Sequence, residues 1–548
     1  MNHAQSADMN QQPDPPPVVW VIAGNDSGGG AGLSADQRAV AALGGHACPV
    51  VATVTAQNSV AVRHVEAVSP ELLHAQLAAL AEDMPPQAIK TGLLGNAAQV
   101  AVVAQWVDRL RQQRPGLALV VDPVLRASTG HDLASDSLCA ALRQQLLPRA
   151  TLITPNRAEA SRLLSLPEEG PSARAGAADV PVMARTLRQL GAGSVVITGG
   201  DDSDSHHDHH GPARCHDWMD TPQASGWLSL PRVNTCHHHG TGCTFASSAA
   251  TALALGFVPA DAVVLAKMAT TEGLRHAHAA GAGAGPLRPR PGFAQRLDNL
   301  PSLSLPGADQ PAHPLQPALP VLDASQRQLG LYPVVDSADW VERLLAAGVR
   351  TLQLRIKNPH RPDLRTHIRR SVQAARAVQA QLYINDHWQL AIEEGAFGIH
   401  LGQEDLNSTN VQAIARVGLH LGLSTHSLWE MCRAWGMQPS YVACGPVHAT
   451  TSKDMPWLPQ GEANVAFWSH LLPLPVVAIG GMDAARLRQA VRHGASGVAL
   501  ITAITQASDP EQAVASLQQA WQDGLQDPAA APPPLPRSTL ACPTLACD

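Results

Sequence analysis

Five consecutive residues near the middle of the chain have the composition of a phosphate-binding turn. His239-Gly240-Thr241-Gly242-Cys243 stands directly before TFASSAATALAL, a run of small and apolar residues that predicts a helix. Free backbone N–H groups and the positive end of the helix dipole would suit a phosphoryl group in transfer. Cys243 could take a proton there, because a helix N-terminus favours the thiolate. The alternatives are a plain turn ahead of a helix and a structural cysteine.

A second group of polar residues lies in the C-terminal half, where each follows a short apolar run. Two are carboxylates, Asp386 and Asp405. The others are Gln353, Arg355, Lys357, Asn385, Gln403, Glu404, Ser424, Thr425, His426, Thr450, Thr451, Ser452 and Lys453. If the runs are strands of a parallel barrel, these side chains meet at one rim. Two carboxylates beside several cations suit Mg²⁺ bridged to a pyrophosphate, whereas each residue alone would more often be a solvated loop charge.

The apolar runs that carry these residues differ in spacing between the two halves of the chain. Up to about residue 280 they alternate with helical patterns, which predicts an α/β sheet that is mostly parallel and covered by helices on both faces. Beyond residue 328 the spacing is more regular. Eight candidate strands begin near residues 332, 351, 382, 397, 420, 441, 475 and 497. Eight such units in about 200 residues predict a (β/α)8 barrel.

Composition divides the chain into two domains with three connecting or terminal segments. We expect disordered tails at 1–17 and 527–548, which are polar and Pro-rich, and a Gly/Ala/Pro-rich linker at 281–328. The domains would then span 18–280 and 329–526. Two large domains suit 548 residues better than one core does.

Bulk composition restricts the class of partner. A net charge of −7 with 3% aromatic residues gives neither a basic stripe nor a stacking surface for nucleic acid. The sequence has no run of about 18 apolar residues that would suit a membrane span. Its nine cysteines are scattered and odd in number, which predicts a reducing cytoplasm. We expect small-molecule substrates and leave a homodimer open.

The ordered motifs of the N-terminal half resemble hydroxymethylpyrimidine and phosphomethylpyrimidine kinases of the ribokinase superfamily. The motifs are AGNDSGGGAGLSAD, VTAQNSV, IKTGLLG, VVDPVLRASTG, LITPNRAEA, VVITGG and HGTGCT. The resemblance implies a ribokinase-like α/β/α sandwich in which Asp36 and Gln57 bind the pyrimidine. It also implies that Asp122 and Glu159 lie near the phosphates of Mg-ATP and that Asn156 contacts a phosphate oxygen. Cys243 takes the place of the superfamily's catalytic Asp, with Gly240 and Gly242 forming the anion hole.

One position departs from that family. The family usually has a Lys where this chain has Thr198-Gly199-Gly200-Asp201, so a charge that neutralises phosphate is missing. We expect Thr198, Gly200 and Thr241 to lie at the ATP, with Mg²⁺ and the turn at Gly240 compensating for the lost charge. The alternative is a degenerate module that binds a pyrimidine and leaves only the C-terminal half active.

The C-terminal half resembles thiamin phosphate synthase from residue 331 to about 509, through PVVD, LQLRIK, INDHW, GIHLGQEDL, LGLSTH, TTSKDMP, PQG and VVAIGG. The resemblance implies that Asp386 and Asp405 hold Mg²⁺ and that Ser424 lies near the pyrimidine. Gly481 and the loop around Thr502 would grip a thiazole phosphate. The pyrophosphate ligands that it implies are Gln353, Arg355, Lys357, Asn385, Thr450, Ser452 and Lys453.

The two resemblances together predict a bifunctional enzyme of thiamin biosynthesis. ATP would phosphorylate hydroxymethylpyrimidine and then its monophosphate, and the barrel would couple the diphosphate to thiazole phosphate. A rival interpretation is a pyridoxal kinase fused to a thiazole tautomerase. Cys243 in place of Asp speaks against the first of these, and the set of Arg355, Asp386, Asp405 and Lys453 speaks against the second.

Overall fold

A computed structural model describes residues 15–126, 135–166, 179–200, 213–308, 310–311, 315–450 and 456–541. Two of the predicted pyrophosphate ligands, Ser452 and Lys453, lie outside the described residues. The same holds for the His-rich stretch at 206–210.

The described part of the N-terminal half contains one ten-stranded sheet with the order β10-β9-β8-β7-β6-β5-β4-β1-β2-β3. Its strands are β1 Val18–Asn25, β2 His46–Gln57, β3 Val62–Ala67, β4 Ala88–Thr91, β5 Ala118–Val121, β6 Leu152–Ile153, β7 Val195–Ile197, β8 Arg214–Asp220, β9 Ser225–Pro231 and β10 Ser302–Leu303. The six strands from β7 to β2 run parallel, while β3, β8, β9 and β10 pair antiparallel with their neighbours. The sheet is therefore mostly parallel, as the sequence predicts.

Helices cover both faces of this sheet because its strands are apolar on both sides. They are α1 Gly32–Ala42, α2 Pro70–Asp83, α3 Ala97–Gln113, α4 Asp136–Ala141, α5 Arg157–Leu163, α6 Val180–Gln189, α7 Thr241–Ala254 and α8 Pro259–Arg275. On β1, Val19 and Val21 pack into one hydrophobic cluster while Trp20 and Ile22 pack into another. This alternation places a core on each side of the sheet and confirms the expected three-layer sandwich.

The second domain is a closed parallel barrel of eight strands. They are β11 Gly330–Val335, β12 Thr351–Leu354, β13 Gln381–Asn385, β14 Gly398–Leu401, β15 His420–Thr425, β16 Tyr441–Cys444, β17 Val476–Ile479 and β18 Gly497–Leu500. The helices are α9 Ala338–Ala346, α10 Leu364–Ala377, α11 Trp388–Glu394, α12 Val411–Arg416, α13 Leu428–Met437, α14 Gly461–Leu471, α15 Ala484–Arg492, α16 Thr502–Thr505 and α17 Pro510–Gln526. Pairing of β18 with β11 closes the barrel, so the predicted eight strands are confirmed.

The first part of the expected linker belongs to the ten-stranded sheet instead. Strand β10 pairs with β9, and the buried Leu300 and Leu303 pack into the core beside it. Buried Asn299 donates to Glu272 of α8 at 2.9 Å. The prediction of a structureless linker from 281 is wrong for this part, because low periodicity does not prevent single apolar residues from covering a sheet edge.

The expected C-terminal tail also packs, as far as it is described. The carbonyl of Thr539, a residue 2% exposed, accepts from the N–H of Leu458 at 2.8 Å. The N–H of Arg537 donates to the side chain of Asn464 at 2.6 Å. Prolines exclude a helix or an inner strand here but not an extended segment bonded to the barrel, so the prediction of a disordered tail is wrong up to residue 541.

Among the helices in the described part of the chain, none is both long enough and apolar enough to cross a membrane.

A buried ion pair joins α8 to the strands beside the expected ATP site. Lys267 Nζ lies 2.6 Å from Asp217 Oδ2, and both side chains are almost fully buried. The other oxygen of Asp217 accepts from the N–H of Gly199 at 3.0 Å. The pair therefore fixes the backbone between Thr198 and Gly200.

We predict that Lys267→Met lowers the free energy of unfolding by about 3–5 kcal/mol, because it leaves the Asp217 carboxylate buried without a counter-charge. Denaturant titration followed by the fluorescence of Trp218 and Trp227, which lie on β8 and β9, would measure the loss. The double variant Lys267→Met/Asp217→Leu is the control and should recover part of the stability. Equal losses in both variants would contradict the explanation.

Candidate active sites

Two glycine-rich loops pack directly against each other in the N-terminal domain. Gly240 has φ 88°, and a Cβ there would lie 2.4 Å from the carbonyl oxygen of Gly30. A Cβ on Gly30 would lie 2.1 Å from the ring of His239. Glycine is thus required on both sides of the contact. The loop after β1 and the turn before α7 form one continuous surface.

Asp26, which sequence reasoning did not select, holds these loops together. Its carboxylate accepts from the N–H groups of Gly28, Gly30 and Ala31 at 2.8, 3.0 and 2.8 Å. Its Oδ2 lies 2.9 Å from Nε2 of His239. Burial acts to raise the pKa of Asp26, but the bonds from His239 and the backbone lower that pKa below its ordinary value. Asp26 is therefore an anionic anchor for both loops.

The amide of Gln57 lies beside this anchor. Its Nε2 is 3.3 Å from Nε2 of His239, at the end of β2. Backbone bonds to Ser27 Oγ at 2.7 and 2.9 Å hold the same residue against the first glycine loop. The structure thus brings Gln57 to the surface that the two loops share.

Asp36 is not on that surface. Its side chain has 0% exposure, and its Oδ1 accepts from Lys90 Nζ at 2.9 Å and from Ser247 Oγ at 2.7 Å. Lys90 also lies 3.4 Å from Oδ2 of Asp122. The expectation that Asp36 touches the pyrimidine is therefore not supported, because packing of α1 under α7 turns its carboxylate into the core.

Lys90 is a buried cation close to Cys243 in the turn before α7, and sequence reasoning missed it. Burial acts to lower its pKa, but the charges of Asp36 and Asp122 raise that pKa above its ordinary value. The lysine therefore stays charged. Its position at the end of the parallel strand β4 could have indicated it, since polar residues at such ends face the ligand crevice.

Cys243 lies at this cluster, partly exposed in the first turn of α7. Burial raises the pKa of its thiol to about 12, with Lys90 opposing the rise and Asp36 and Asp122 adding to it. In the free protein, burial thus opposes the thiolate that a helix N-terminus favours, and the role of Cys243 as a base stays a prediction. Gly242 is exposed, and a Cβ there would lie 3.8 Å from Asp122, so the turn opens to solvent beside that carboxylate.

The expected ATP residues meet at the ends of β6 and β7. Asn156 and Glu159 form a reciprocal cap on α5, with both bonds at 2.9 Å. Glu159 also accepts from the N–H of Leu125 at 3.4 Å. Thr198 pairs with Asn156 in an isolated parallel β-bridge. A Cβ on Gly200 would have no described atom within 4 Å. Glu159 thus positions Asn156, whereas Asp122 is the carboxylate nearer to the turn.

In the barrel, the structure brings together the two predicted metal ligands. Asp386 follows β13 in a left-handed conformation, φ 64°, and its carboxyl lies within hydrogen-bonding distance of Asp405. Burial and the charge of Asp405 raise the pKa of Asp386 to about 6, while Arg355 acts to lower it. Asp405 is held by the N–H of Gly402 at 3.0 Å. Arg355, Asp386 and Asp405 therefore converge at one rim.

This carboxylate pair suits a hard divalent cation. The described residues contain no cluster of three or more His, Cys, Asp or Glu side chains that could hold a metal alone. A cation at Asp386 and Asp405 would need further oxygen atoms from water or from a substrate.

A chain of hydrogen bonds crosses the barrel interior beneath that rim. Tyr332 and Tyr441 share a bond of 2.6 Å, His400 Nδ1 lies 2.7 Å from the Tyr441 hydroxyl, and His400 Nε2 lies 2.9 Å from Ser424 Oγ. Gln353 bonds to both tyrosines. Burial, Arg355 and His426 lower the pKa of His400 to about 3, so its imidazole is neutral. Sequence reasoning selected Gln353 and Ser424 but missed the inward-facing residues between them.

The remaining predicted barrel residues are distributed around the same rim. Gly481, with φ 64°, approaches the loop after β16, because a Cβ there would lie 2.6 Å from the carbonyl oxygen of Ala449. Thr450 follows in that loop and is half-buried. Asn385 is buried at the end of β13, whereas Lys357 and Thr502 are exposed. The carboxyl ends of five strands thus contribute to one surface.

Comparison with family models divides the chain at the same place as the fold. Residues 26–288 match the family described as phosphomethylpyrimidine kinase. Residues 331–504 match the family described as thiamine monophosphate synthase.

Individual relatives extend the likeness over both halves. The chain is 32% identical over 505 residues to a chloroplastic thiamine biosynthetic bifunctional enzyme of Oryza sativa subsp. japonica, a match that covers 89% of this chain and 86% of that protein. It is 46% identical over 201 residues to a thiamine-phosphate synthase of Yersinia pestis (strain Pestoides F), covering 36% and 94%. A solved pyridoxal kinase of Bacillus subtilis, in complex with ADP, is 27% identical with a TM-score of 0.43, covering 50% of this chain and 97% of that one.

The raised pKa of Asp386 predicts a pH-dependent stability. Between about pH 4 and pH 6 the folded protein binds a proton at Asp386 that the unfolded chain does not, so this group's contribution to stability falls as pH rises through that window. Asp386→Asn should therefore be more stable than the parent chain at about pH 8, by up to about 1 kcal/mol given the screening of this exposed side chain, and equal to it near pH 4. Thermal denaturation without divalent cations would measure this. The same difference at both pH values would contradict it.

Proposed function

The chain belongs to the family of bifunctional thiamine biosynthetic enzymes, and on that premise we propose how its own residues carry the two activities. The N-terminal domain is a phosphomethylpyrimidine kinase and the C-terminal domain is a thiamine-phosphate synthase. The convergence of Arg355, Asp386 and Asp405 at the barrel rim is the observation that supports the residue assignment most strongly. The matching kinase family argues against a module that only binds a pyrimidine.

In the kinase domain, we propose that the turn between Gly240 and Cys243 receives the phosphoryl group of ATP. Gly242 is exposed at this turn, and the buried positive charge of Lys90 acts on Cys243 beside it. Fixed backbone donors stabilise charge that develops on phosphoryl oxygens without a cost of reorganisation. Magnesium, when bound beside Asp122, would neutralise further phosphate charge. Asn156, Glu159, Thr198, Gly200 and Thr241 would line the rest of the ATP site.

The pyrimidine would lie against Gln57, whose amide offers one donor and one acceptor to an aminopyrimidine edge. We assign to Cys243 the removal of the proton from the substrate hydroxyl as that oxygen bonds to phosphorus. Because the pKa of the thiol is raised to about 12, only its minor thiolate fraction can act as a base, and Lys90 increases that fraction. The kinase rate should then rise with pH.

In the synthase domain, the diphosphate of hydroxymethylpyrimidine would lie with its pyrophosphate at Asp386 and Asp405. Mg²⁺, when bound to these carboxylates, would supply charge stabilisation for the leaving group. Arg355, Lys357 and Lys453 add positive charge, and Gln353, Asn385, Thr450 and Ser452 add hydrogen bonds. Pyrophosphate would leave first with the electron pair of its bond to the pyrimidine methylene carbon, and these residues would hold its charge. The thiazole nitrogen would then donate its electron pair to the methylene cation and form the new bond.

Ser424 would contact the pyrimidine from the barrel interior. Its hydroxyl is oriented by neutral His400, which is itself fixed by Tyr441. Gly481 and Thr502 would hold the thiazole phosphate beside the loop after β17 and at the start of α16, the place where barrels commonly bind phosphate.

The cellular setting is also a proposal. The described cysteines are free thiols, which supports a reducing compartment such as the cytoplasm. We propose that the partners are small molecules, with neither nucleic acid nor membrane among them, and that a homodimer is the state to test by sedimentation.

The function is tested with the purified chain, hydroxymethylpyrimidine, thiazole phosphate and Mg-ATP. We expect ADP and thiamin phosphate, detected by chromatography and mass spectrometry. Saturable pyrimidine binding without ADP would instead indicate a binding-only N-terminal domain.

We predict that Asp386→Ala blocks the second reaction and leaves the first intact, because it removes a carboxylate from the pyrophosphate site alone. Hydroxymethylpyrimidine diphosphate should accumulate while ADP is still released. Asp523→Ala, an acidic residue near the end of α17 and away from the rim, is the matched control. Thiamin phosphate at the parent rate from Asp386→Ala would contradict the assignment.

We predict that Cys243→Ala lowers both phosphorylations by about 10²–10⁴-fold, the range for loss of a general base. The synthase rate from added diphosphate should not change. Exposed Cys236→Ala serves as the control, since it removes a thiol at another position. A variant with the parent kinase rate would show that Cys243 is structural.

A further inference from the structure

Helix α8 of the kinase domain is buried on every side. All residues from 259 to 273 are buried, including the charged Asp261 and Lys267. One hydrophobic cluster runs without interruption from Leu265 of this helix to Met431 of the barrel helix α13. On the same side, a Cβ on Gly436 of α13 would lie 3.1 Å from Ser302 of β10. The two domains therefore share one packed interface.

Asp261 is the polar residue at the centre of this contact. It is 1% exposed, and its Oδ1 accepts from the N–H of Trp429 at 3.0 Å. The N–H of Leu428 also bonds to the carboxylate. These two groups belong to the first turn of α13, where helix N–H groups lack partners within the helix. A carboxylate of the kinase domain thus completes a helix N-terminus of the synthase domain.

That helix N-terminus is next to the synthase site. Helix α13 begins three residues after Thr425, the last residue of β15, and Ser424 precedes it at the rim. Glu430 of the first turn accepts from the N–H and the Nδ1 of His426 at 2.7 and 2.8 Å. Displacement of the first turn would therefore move the segment from Ser424 to His426.

The contact continues beyond α13 to the ring of Trp457. The ring of His426 stacks on Trp457, with centroids 5.1 Å apart and planes 9° apart. The ring centroid of Trp429 lies 6.4 Å from that of Trp457. Trp457 follows the segment 451–455 closely in sequence.

Burying the charged carboxylate of Asp261 at this domain interface is energetically unfavourable. Burial and the nearby Glu430 raise the pKa of Asp261 to about 7, although bonds from Trp429 and Leu428 act against the rise. An apolar residue would avoid that cost but would leave the two N–H groups without acceptors. The geometry therefore requires an acceptor at this position.

We propose that Asp261 of the kinase domain is a positioning residue for the synthase reaction, because it fixes the first turn of α13 and with it the pyrimidine-side segment from Ser424 to His426. The inference rests on the proposed function of the barrel site. It makes the docked kinase domain a structural part of the second active site.

The test compares the full chain with Asp261→Ala and Asp261→Asn, assayed with prepared hydroxymethylpyrimidine diphosphate and thiazole phosphate. We expect the Ala variant to raise the KM for the diphosphate about tenfold with kcat changed less than about twofold, since one well-placed acceptor is lost. Asn keeps one acceptor oxygen, so its KM should lie between those of Ala and the parent chain. The amide of Trp429 should exchange hydrogen faster in the Ala variant.

Two controls separate this role from general destabilisation. The kinase rate of Asp261→Ala should stay at the parent level, and Glu71→Ala, an acidic residue in an exposed first turn of α2, should alter neither activity. An unchanged KM in Asp261→Ala would overturn the proposal, whether or not the two activities fell equally. No thiamin phosphate from the parent chain would instead refute the function assigned to the barrel.

Discussion

Asp386 and Asp405 lie within hydrogen-bonding distance although each carboxylate repels the other's charge. The same constraint recurs at Asp36 and Asp122, which share Lys90 in the interior of the kinase domain. Carboxylates held this close to each other destabilise the free protein. On the function that we propose, a bound metal ion would offset the carboxylates and the fixed cations would offset the phosphate groups.

The two domains meet this constraint by different means. The kinase domain holds its buried cation permanently close to a glycine turn, and the anionic Asp26 ties that turn to the loop after β1. The synthase domain instead places its carboxylates at strand ends and orients its interior hydroxyls through neutral His400. A charged imidazole there would compete with Arg355 for anions, and burial prevents this by lowering the pKa of His400 to about 3.

The sequence alone predicts the sandwich and the eight barrel strands, because strand periodicity is a local signal. It also predicts the convergence of Arg355, Asp386 and Asp405, because residues at the carboxyl ends of barrel strands meet at one face. It does not predict that Asp36 is enclosed, that Lys90 lies close to the turn or that Asp261 reaches the barrel. These features depend on which helices pack over which strands, and no residue spacing encodes that. The segments near residues 302 and 537 were wrongly predicted to be unstructured for the same reason. Their few packed residues contact surfaces formed by distant parts of the chain.

Strand β10 has a consequence for how the fused polypeptide can be divided. It covers β9 on one side, and a little further on the carbonyl of Pro320 accepts from the hydroxyl of Ser440 in the barrel at 2.7 Å. A half-length kinase ending at residue 280 would uncover the backbone N–H and C=O groups of β9 and the apolar side of α8 together. Exposed edges of this kind recruit other strands, so the separated half would tend to self-associate and precipitate. A separated kinase domain should therefore keep β10, so that the edge of β9 stays covered.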